Sequence, residues 1–264
     1  MEAEQKYTDW SLAIHNLSVN KRVPISASIE ITRRCNNRCV HCYSNLPLKD
    51  KFARQNEMTA AEHFRILDEM AVAGCLWVLF TGGEIFARSD FLDIYAHAKQ
   101  LGLLITLFTN GTLITPDIAD YLVEMPPFYI EITLYGHTRK IYEKVTGVPG
   151  SYDRCLQGIH LLTEREMPLR LKSMALTVNQ SEIWQMKRFA EEDLGLEFRF
   201  DALINPRYDC SQSPLDVRLA PPDVVKLDLL DSKRVDEWRN LLLNSADRRI
   251  QTKQPAIYGA AAAV

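Results

Sequence analysis

The sequence predicts an α/β fold in which helices cover a parallel β-sheet. About six apolar runs of strand length alternate with about five stretches of helical periodicity between residues 24 and 204. Strongly apolar strands that are joined by helical crossovers typically form parallel sheets with covered faces. An open, doubly wound sheet and a curved, partly closed barrel both fit this alternation, and both bind ligands at the carboxyl ends of their strands.

The elements follow in order along the chain. Residues 24–32 form the first predicted strand, because their pattern alternates and ends in β-branched side chains. Residues 33–57 are polar and lack periodicity, which predicts a long functional loop. A helix then begins at Thr59, since Thr59 and Glu62 form a capping box.

Capping residues and apolar runs predict the remaining elements of this alternation. Asp90 and Ser151 are placed to begin helices, and Thr115 with Pro116 is typical of a cap followed by the first helical residue. A further helix is predicted over 181–194. The other strands are predicted over 75–80, 103–108, 128–134, 169–177 and 197–204.

The character of the chain changes after residue 204. Residues 206–222 contain four prolines and few apolar side chains, which indicates a linker before helical stretches over 224–230 and 235–243. We therefore divide the chain into three parts. These are an N-terminal extension (1–22), a sheet or barrel domain (23–204), and a linker with a helical C-terminal segment (205–264).

Composition excludes several classes of partner. With 31 basic and 34 acidic residues the net charge is −3, which gives no electrostatic reason to expect nucleic acid or an anionic membrane as partner. No apolar run approaches the roughly 18 to 20 residues that span a bilayer. The N-terminus lacks the basic start and apolar stretch of a signal peptide, so we expect a cytoplasmic protein.

Three of the six cysteines, Cys35, Cys39 and Cys42, fall within eight residues. A structural zinc ion commonly takes four ligands as two separated pairs. A 4Fe–4S cluster takes one thiolate per iron, so three cysteines leave one iron open. Zinc with His41 as fourth ligand remains an alternative, although His41 directly precedes Cys42 and chelation by both would be strained. Three thiols that merely pack in a turn are disfavoured by the polar loop around them.

The other three cysteines are scattered. Cys75 opens an apolar strand and Cys155 lies inside a helical pattern, so both are expected to pack in the core. Cys210 lies in the predicted linker, and its role stays open.

Polar and glycine-rich motifs follow the predicted strands in the same way as the cysteine loop. They are Thr81-Gly82-Gly83-Glu84, Thr109-Asn110-Gly111 and Tyr135-Gly136. Glycines allow close backbone approach to a ligand, and a carboxylate suits an amine. The alternative for Gly82-Gly83-Glu84 is an ordinary turn with a solvated carboxylate.

The Cys-x3-Cys-x2-Cys spacing, with an aromatic residue before the third cysteine, resembles the signature of the radical S-adenosylmethionine (SAM) superfamily. The resemblance implies a partial (β/α)6 TIM-like barrel over 23–204, with a short and mostly helical C-terminal extension. It also implies that Cys35, Cys39 and Cys42 ligate three irons of a 4Fe–4S cluster, while SAM binds the fourth. Reductive cleavage of SAM would then yield a 5′-deoxyadenosyl radical that abstracts hydrogen from a substrate. An electron donor such as flavodoxin or ferredoxin would supply the electron.

The resemblance further implies a set of SAM-contacting residues near the strand ends: His41, Gly82, Gly83, Glu84, Asn110, Thr133 and Lys172. Glu84 and the glycines would bind the methionyl amine, and Thr133 the ribose. His41 would contact the adenine, and Lys172 the methionyl carboxylate. The competing interpretations are loop shaping for His41, a turn for Asn110, ordinary strand preference for Thr133 and a solvated edge position for Lys172.

Within the superfamily, the stretches 133–136, 145–151 and 200–201 are similar to the subgroup that carries a SPASM-type auxiliary-cluster domain. That subgroup modifies ribosomal peptides or acts in cofactor and haem pathways. We expect a peptide substrate, with small-molecule or tetrapyrrole chemistry as the second choice. The subgroup has cysteines where this chain reads alanine at 260–263, so no auxiliary cluster is expected in these residues. Residues 205–264 are then a truncated SPASM-type region or a short extension, and an iron–sulfur partner without turnover remains an alternative.

Overall fold

The computed structural model describes residues 7–18, 21–44 and 46–251. The chain divides into two compact units, residues 1–218 and 219–264. The division of the chain at residues 22 and 204 stays a prediction. In the described part, the strands are β1 (Ser26–Thr32), β2 (Arg34–Cys35), β3 (Leu46–Pro47), β4 (Trp77–Gly82), β5 (Leu104–Thr109), β6 (Tyr129–Thr133), β7 (Leu169–Met174) and β8 (Glu197–Asp201).

Helices separate these strands along the chain. They are α1 (Tyr7–Ser18), α2 (Lys51–Gln55), α3 (Ala60–Val72), α4 (Phe91–Gln100), α5 (Pro116–Glu124), α6 (Arg139–Thr146), α7 (Ser151–Thr163), α8 (Ile183–Arg188), α9 (Pro221–Leu230) and α10 (Ser232–Gln251).

Six strands form one parallel sheet in the order β1-β4-β5-β6-β7-β8. This confirms the predicted α/β class. Each long strand pairs with the next long strand along the chain, so the order has no reversal point of the kind that defines a doubly wound sheet. The sequential order is that of a partial (β/α)6 barrel, and all six carboxyl ends lie at one rim.

The two faces of this sheet differ. One face carries fully buried apolar side chains such as Phe80 and Leu107, and helices pack on it, with Phe91 of α4 edge-on to Phe80 at 5.7 Å. The opposite face, which we call the inner face, carries polar and charged side chains. From the strand register these include Glu30, Thr106, Glu131, Thr133, Lys172 and Arg199.

Helix caps test the sequence analysis locally. The capping box of Thr59 with Glu62 is confirmed, and Thr115 accepts a hydrogen bond from the Ile118 amide. The prediction that the Asp90 carboxylate caps α4 is wrong, because that carboxylate instead binds the Arg88 guanidinium at 2.7 and 2.9 Å. Arg88 is 7 % exposed, and an ion pair to so buried a cation outcompetes a cap.

The prediction of a long loop over residues 33–57 is wrong in part. It contains the short parallel pair β2–β3 and the helix α2, which Asp50 caps. These elements are too short to show periodicity. Arg34 braces the loop through a two-bond ion pair with Glu57, at 2.7 and 2.9 Å.

Other differences concern helices. The sequence analysis missed α1 and α6. The helix predicted over 181–194 is irregular: a 3₁₀ turn (Gln180–Glu182) precedes α8, and a π-helical turn (Phe189–Asp193) follows it. In the second unit, α9 and α10 confirm the two predicted helical stretches and extend beyond them. The alanines at 260–263 lie outside the described residues.

Candidate active site

The cysteine loop begins where β1 ends at the carboxyl rim of the sheet. Its backbone is fixed to the last turn of α6, since the amides of Arg38 and Val40 donate to the carbonyls of Thr146 and Val145 at 2.8 and 2.9 Å. None of Cys35, Cys39 and Cys42 forms a disulfide with another cysteine of the described residues. A helix that the sequence analysis did not predict therefore holds the loop in place.

The three thiols share one region. Burial and the charges of Glu84 and Cys42 raise the pKa of Cys35 to about 12. Burial also raises the pKa of Cys39 well above its usual value, and Cys35 and Cys42 add to that effect. Such thiols stay protonated in the absence of a compensating positive charge, which is what bound iron would provide.

Hydrogen bonds reach these sulfur atoms from three directions. The Asn37 amide donates to Cys35 Sγ at 3.3 Å, and Asn110 Nδ2 lies 3.6 Å from the same atom. The Tyr135 hydroxyl is hydrogen-bonded to Cys39. Donors of this kind tune the reduction potential of iron–sulfur clusters. The sequence analysis did not foresee that Asn110 and Tyr135 touch cysteines, since 75 residues separate Asn110 from Cys35.

Asn110 is both a turn residue and a site residue. Its Nδ2 donates to Asn36 Oδ1 at 2.9 Å, and its Oδ1 accepts from the Thr112 amide at 2.9 Å. Gly111 follows with a φ of 74°, as the turn requires. The turn interpretation of Asn110 is therefore confirmed, and the turn places its side chain against the cysteine loop. A contact of Asn110 with SAM stays a prediction.

Gly82 and Gly83 are glycines for a reason that the sequence did not reveal. A Cβ on Gly82 would overlap the carbonyl oxygen of Thr32, and one on Gly83 would overlap that of Arg34. The Gly83 and Glu84 amides donate to these same two oxygens, at 2.6 and 3.0 Å. The close approach allowed by the glycines is thus to the start of the cysteine loop.

Glu84 is fully buried. Its carboxylate accepts from Thr109 Oγ1 at 2.6 Å and from the Asn110 amide at 2.8 Å. Burial raises its pKa to about 6, against these hydrogen bonds. Its contacts link the rim of β4 to the rim of β5, and the interpretation of Glu84 as a solvated turn residue is wrong.

His41 is half-buried and packs against Tyr135, with the ring centroids 5.1 Å apart. Its Nδ1 atom is buried without a hydrogen-bond partner among the described residues, and burial lowers the pKa of the imidazole to about 4. A neutral imidazole in this position presents an aromatic surface beside the cysteines. Asn37 is also buried, and neither atom of its amide group has a partner in the described part of the chain.

Thr133 and Lys172 are register neighbours on the inner face. Lys172 Nζ lies 2.9 Å from Glu131 Oε1 and 3.2 Å from the centroid of the Phe108 ring. Arg199 binds the same carboxylate through two bonds of 2.6 and 2.8 Å. Lys172 lies between two neighbouring strands, so its placement at a solvated edge is wrong. Two cations around one carboxylate leave this group with an excess positive charge.

The remaining cysteines lie apart from the loop. Cys75 and Cys155 are buried, which confirms the expectation that they pack in the core, while Cys210 is exposed. In residues 7–18, 21–44 and 46–251, no three His, Cys, Asp or Glu side chains form a group that could hold a single metal ion. A 4Fe–4S cluster does not need several ligands around one metal ion, because each thiolate binds a different iron atom.

A cavity of about 600 Å³ borders the loop. Its lining includes Cys39 and Cys42 from the loop, and Arg207, Ser213 and Asp216 from a later segment. Cavities of this size are typical of small-molecule and cofactor sites. Two of the three loop cysteines therefore face space that a ligand can enter.

The family model of the radical SAM superfamily matches residues 29–190, more than half of the chain. The chain belongs to the radical SAM superfamily. Its cofactors are those of the family, a 4Fe–4S cluster and SAM. No described helix of this radical SAM chain has the length and apolar character needed to cross a membrane.

The curated relatives that resemble this chain in sequence include both a synthase and a peptide cyclase. The Fe-coproporphyrin III synthase of Methanosarcina barkeri is 34 % identical over 58 % of this chain and 37 % of its own length. A PqqA peptide cyclase of Rhodopseudomonas palustris is 29 % identical over 58 % of this chain and 40 % of its own length. The matched part of the radical SAM chain therefore spans less than half of each relative.

Solved structures share the fold. SuiB of Streptococcus suis superposes with a TM-score of 0.64 and 17 % identity, covering 93 % of this chain and 54 % of SuiB. SuiB has also been solved with SAM and with its precursor peptide SuiA. At this identity the likeness confirms the partial barrel of the radical SAM fold.

Proposed function

We propose that Cys35, Cys39 and Cys42 each hold one iron of the 4Fe–4S cluster and leave the fourth iron for SAM. One observation carries this proposal. Three cysteines that form no disulfide lie on a loop that Gly83, Glu84 and Asn110 clamp at the carboxyl rim of the sheet. The rim is where parallel α/β folds place their ligands.

The residues around the loop support a division of labour toward SAM. Thr133 and Lys172 lie on the inner face and are proposed to bind the ribose and the carboxylate of SAM. His41 is proposed to shield the adenine from water, since its ring is neutral and packs against the Tyr135 ring. Gly82 and Gly83 offer backbone groups to the methionyl amine. Glu84 acts through Asn110, because its carboxylate is already occupied.

When bound, the cluster and SAM supply reductive cleavage to a 5′-deoxyadenosyl radical that abstracts hydrogen from the substrate. The protein orients SAM and keeps water out. An external donor such as flavodoxin or ferredoxin is proposed to deliver the electron, because reductive cleavage of SAM consumes one electron in each turnover.

We propose a peptide as the substrate. The fold of SuiB, which has been solved with a precursor peptide, and the identity to PqqA peptide cyclase support this choice. A tetrapyrrole is the second candidate, supported by the 34 % identity to an Fe-coproporphyrin III synthase. The two are distinguished by incubating the reduced enzyme with SAM and either a short peptide encoded beside its gene or iron coproporphyrin III. Mass spectrometry would then show which probe is changed.

Anaerobic reconstitution tests the cluster assignment. With iron, sulfide, SAM and dithionite, the chain is expected to release 5′-deoxyadenosine and methionine, as chromatography would show. Cys39→Ala should abolish this release. Cys210→Ala, the same change at an exposed cysteine outside the loop, should leave it unchanged.

Three outcomes would contradict the proposal. Full cleavage by Cys39→Ala would show that this thiol is not a ligand. A single zinc without iron would support the zinc alternative. A 4Fe–4S cluster that never cleaves SAM would support the iron–sulfur partner without turnover.

A further inference from the structure

Residues 205–218, which the sequence analysis took as part of a linker, lie against the cysteine loop within the first unit. We call this segment the strap. The Tyr208 amide donates to the carbonyl of Tyr43 at 3.0 Å, and Arg207 Nη1 donates to the carbonyl of Cys42 at 3.1 Å. The strap therefore contacts the third cysteine and the residue after it, about 165 positions away along the chain.

The Tyr208 side chain extends this contact to β1. Its hydroxyl donates to Glu30 Oε1 at 3.1 Å, and the hydroxyl of Tyr43 donates to the same oxygen at 3.0 Å. The two tyrosine rings meet edge to face at 5.2 Å, and the Arg33 guanidinium lies 4.9 Å from the centre of the Tyr208 ring. Strap, cysteine loop and first strand thus form one hydrogen-bonded cluster.

The strap is also held at its other end. The Thr177 amide donates to the carbonyl of Val217 at 2.9 Å, and Leu176 and Arg218 form an antiparallel bridge. Within the strap, the Arg207 amide donates to the carbonyl of Ser211 at 3.0 Å. Because both ends are fixed to the barrel, the position of Arg207 relative to Cys42 is set by the fold.

Charge gives this position a chemical consequence. The Arg207 guanidinium borders the same cavity as Cys39 and Cys42, and its carboxylate partner Asp209, at 3.4 Å, is largely exposed. A positive charge near an iron–sulfur cluster favours the reduced form, and hydrogen bonds near the ligands tune the potential. Screening by water weakens an exposed carboxylate more than a half-buried cation.

We propose that Arg207 and Tyr208 are positioning residues for the cluster. Arg207 holds the backbone of Cys42 and raises the reduction potential of the cluster, while Tyr208 ties the loop to Glu30 of β1. This inference rests on the proposed function, since it takes the three cysteines as the cluster ligands. It assigns to the strap a role in the radical SAM site.

The test compares single variants of the full chain after anaerobic reconstitution. Arg207→Met removes the charge and the donor, Tyr208→Phe removes only the hydroxyl, and Gln212→Ala is the control. Gln212 is an exposed strap residue whose side-chain amide donates to the Cys210 carbonyl at 3.0 Å. Measurements are iron content, the electron paramagnetic resonance spectrum of the reduced cluster, its midpoint potential and the rate of iron loss in air.

Arg207→Met is expected to shift the midpoint potential to a more negative value and to lose iron about tenfold faster, as outer-shell partners of metal ligands do when they are removed. Tyr208→Phe should speed iron loss less and leave the potential closer to that of the wild type. Arg207→Lys keeps the positive charge, so its midpoint potential should lie closer to that of the wild type than to that of Arg207→Met. Circular dichroism shows whether Arg207→Met folds. If it does not fold, the rates of iron loss of the single variants Arg207→Lys and Tyr208→Phe provide the test, and both should exceed the rate of the wild type.

Wild-type potential, spectrum and iron loss in Arg207→Met and Tyr208→Phe would overturn this inference while leaving the proposed function intact. Equal iron loss in Gln212→Ala and Arg207→Met would also overturn it, because the effect would then belong to the strap in general. A wild-type chain that assembles no 4Fe–4S cluster would instead overturn the proposed function.

Discussion

On β5, Leu107 is fully buried on the helix-covered face, whereas its neighbours Thr106 and Phe108 lie on the inner face, where Phe108 is the register partner of Glu131. The same contrast runs across the sheet, from Phe80 on one side to Lys172 and Arg199 on the other. Burial of apolar surface stabilises the fold, at about 25 cal/mol per Å². The inner face buries charge instead, which costs free energy unless the charges are paired. We infer that one face holds the barrel together and the other serves the ligand.

The largest loss of stability is expected from a substitution on the helix-covered face. Leu107→Ala should lower the free energy of unfolding by about 3 kcal/mol, because a fully buried leucine leaves a cavity. Thr106→Ala, one residue away on the inner face, should change it by about 0.5 kcal/mol or less. Urea titration of the two variants measures the difference. Equal losses of unfolding free energy in the two variants would contradict the inference that the helix-covered face stabilises the barrel more than the inner face does.

A smaller effect is expected at Glu131, which is 2 % exposed and holds two cations. Glu131→Gln should lower the free energy of unfolding by about 2 kcal/mol at pH 7, because Lys172 and the partly exposed Arg199 lose a charged hydrogen-bond partner. The native pKa of Glu131 lies below its usual value, because its bonds to Arg199 and Lys172 outweigh the cost of burial. Its stabilisation is therefore present above its usual pKa and is lost as the pH falls through the lowered one.

The difference between wild type and Glu131→Gln should accordingly shrink when unfolding is measured below about pH 4.5. Glu197→Gln serves as control, since Glu197 pairs with Arg170 at the exposed end of the same face. A difference that stays constant with pH would show that the Glu131 charge contributes nothing to folding.

Substitution of Lys172 is expected to change the stability of the fold least. Its main effect should be on the affinity for SAM. Lys172→Met should weaken SAM binding to the reconstituted protein by about tenfold, the loss of roughly one charge-assisted hydrogen bond. Arg199 still pairs with Glu131 in this variant. Calorimetric titration with SAM measures the affinity, and Arg170→Met, on the same strand and face, is the matched control. Unchanged affinity in Lys172→Met would remove Lys172 from the SAM site.

The sequence was informative wherever structure depends on neighbours along the chain. Alternation and apolar runs located all six long strands, and Thr59 and Thr115 located two helix starts. It was uninformative for α2, β2 and β3, which are too short for a period, and for Asp90, whose carboxylate was taken by Arg88. The spacing of Cys35, Cys39 and Cys42 indicated the cluster chemistry because the three cysteines that we propose as ligands lie on one loop.

The tertiary structure decided what those residues touch. Gly82 and Gly83 are required by the backbone of Thr32 and Arg34, and the strap contacts Cys42 although 165 positions separate Arg207 from it along the chain. Such contacts join segments far apart in the chain, and parallel strand register and close packing bring them together. The sequence by itself therefore determined the fold class and the cysteine chemistry, which are local patterns. Only the tertiary structure decided which side chains support the cysteines, because that depends on distances no local pattern encodes.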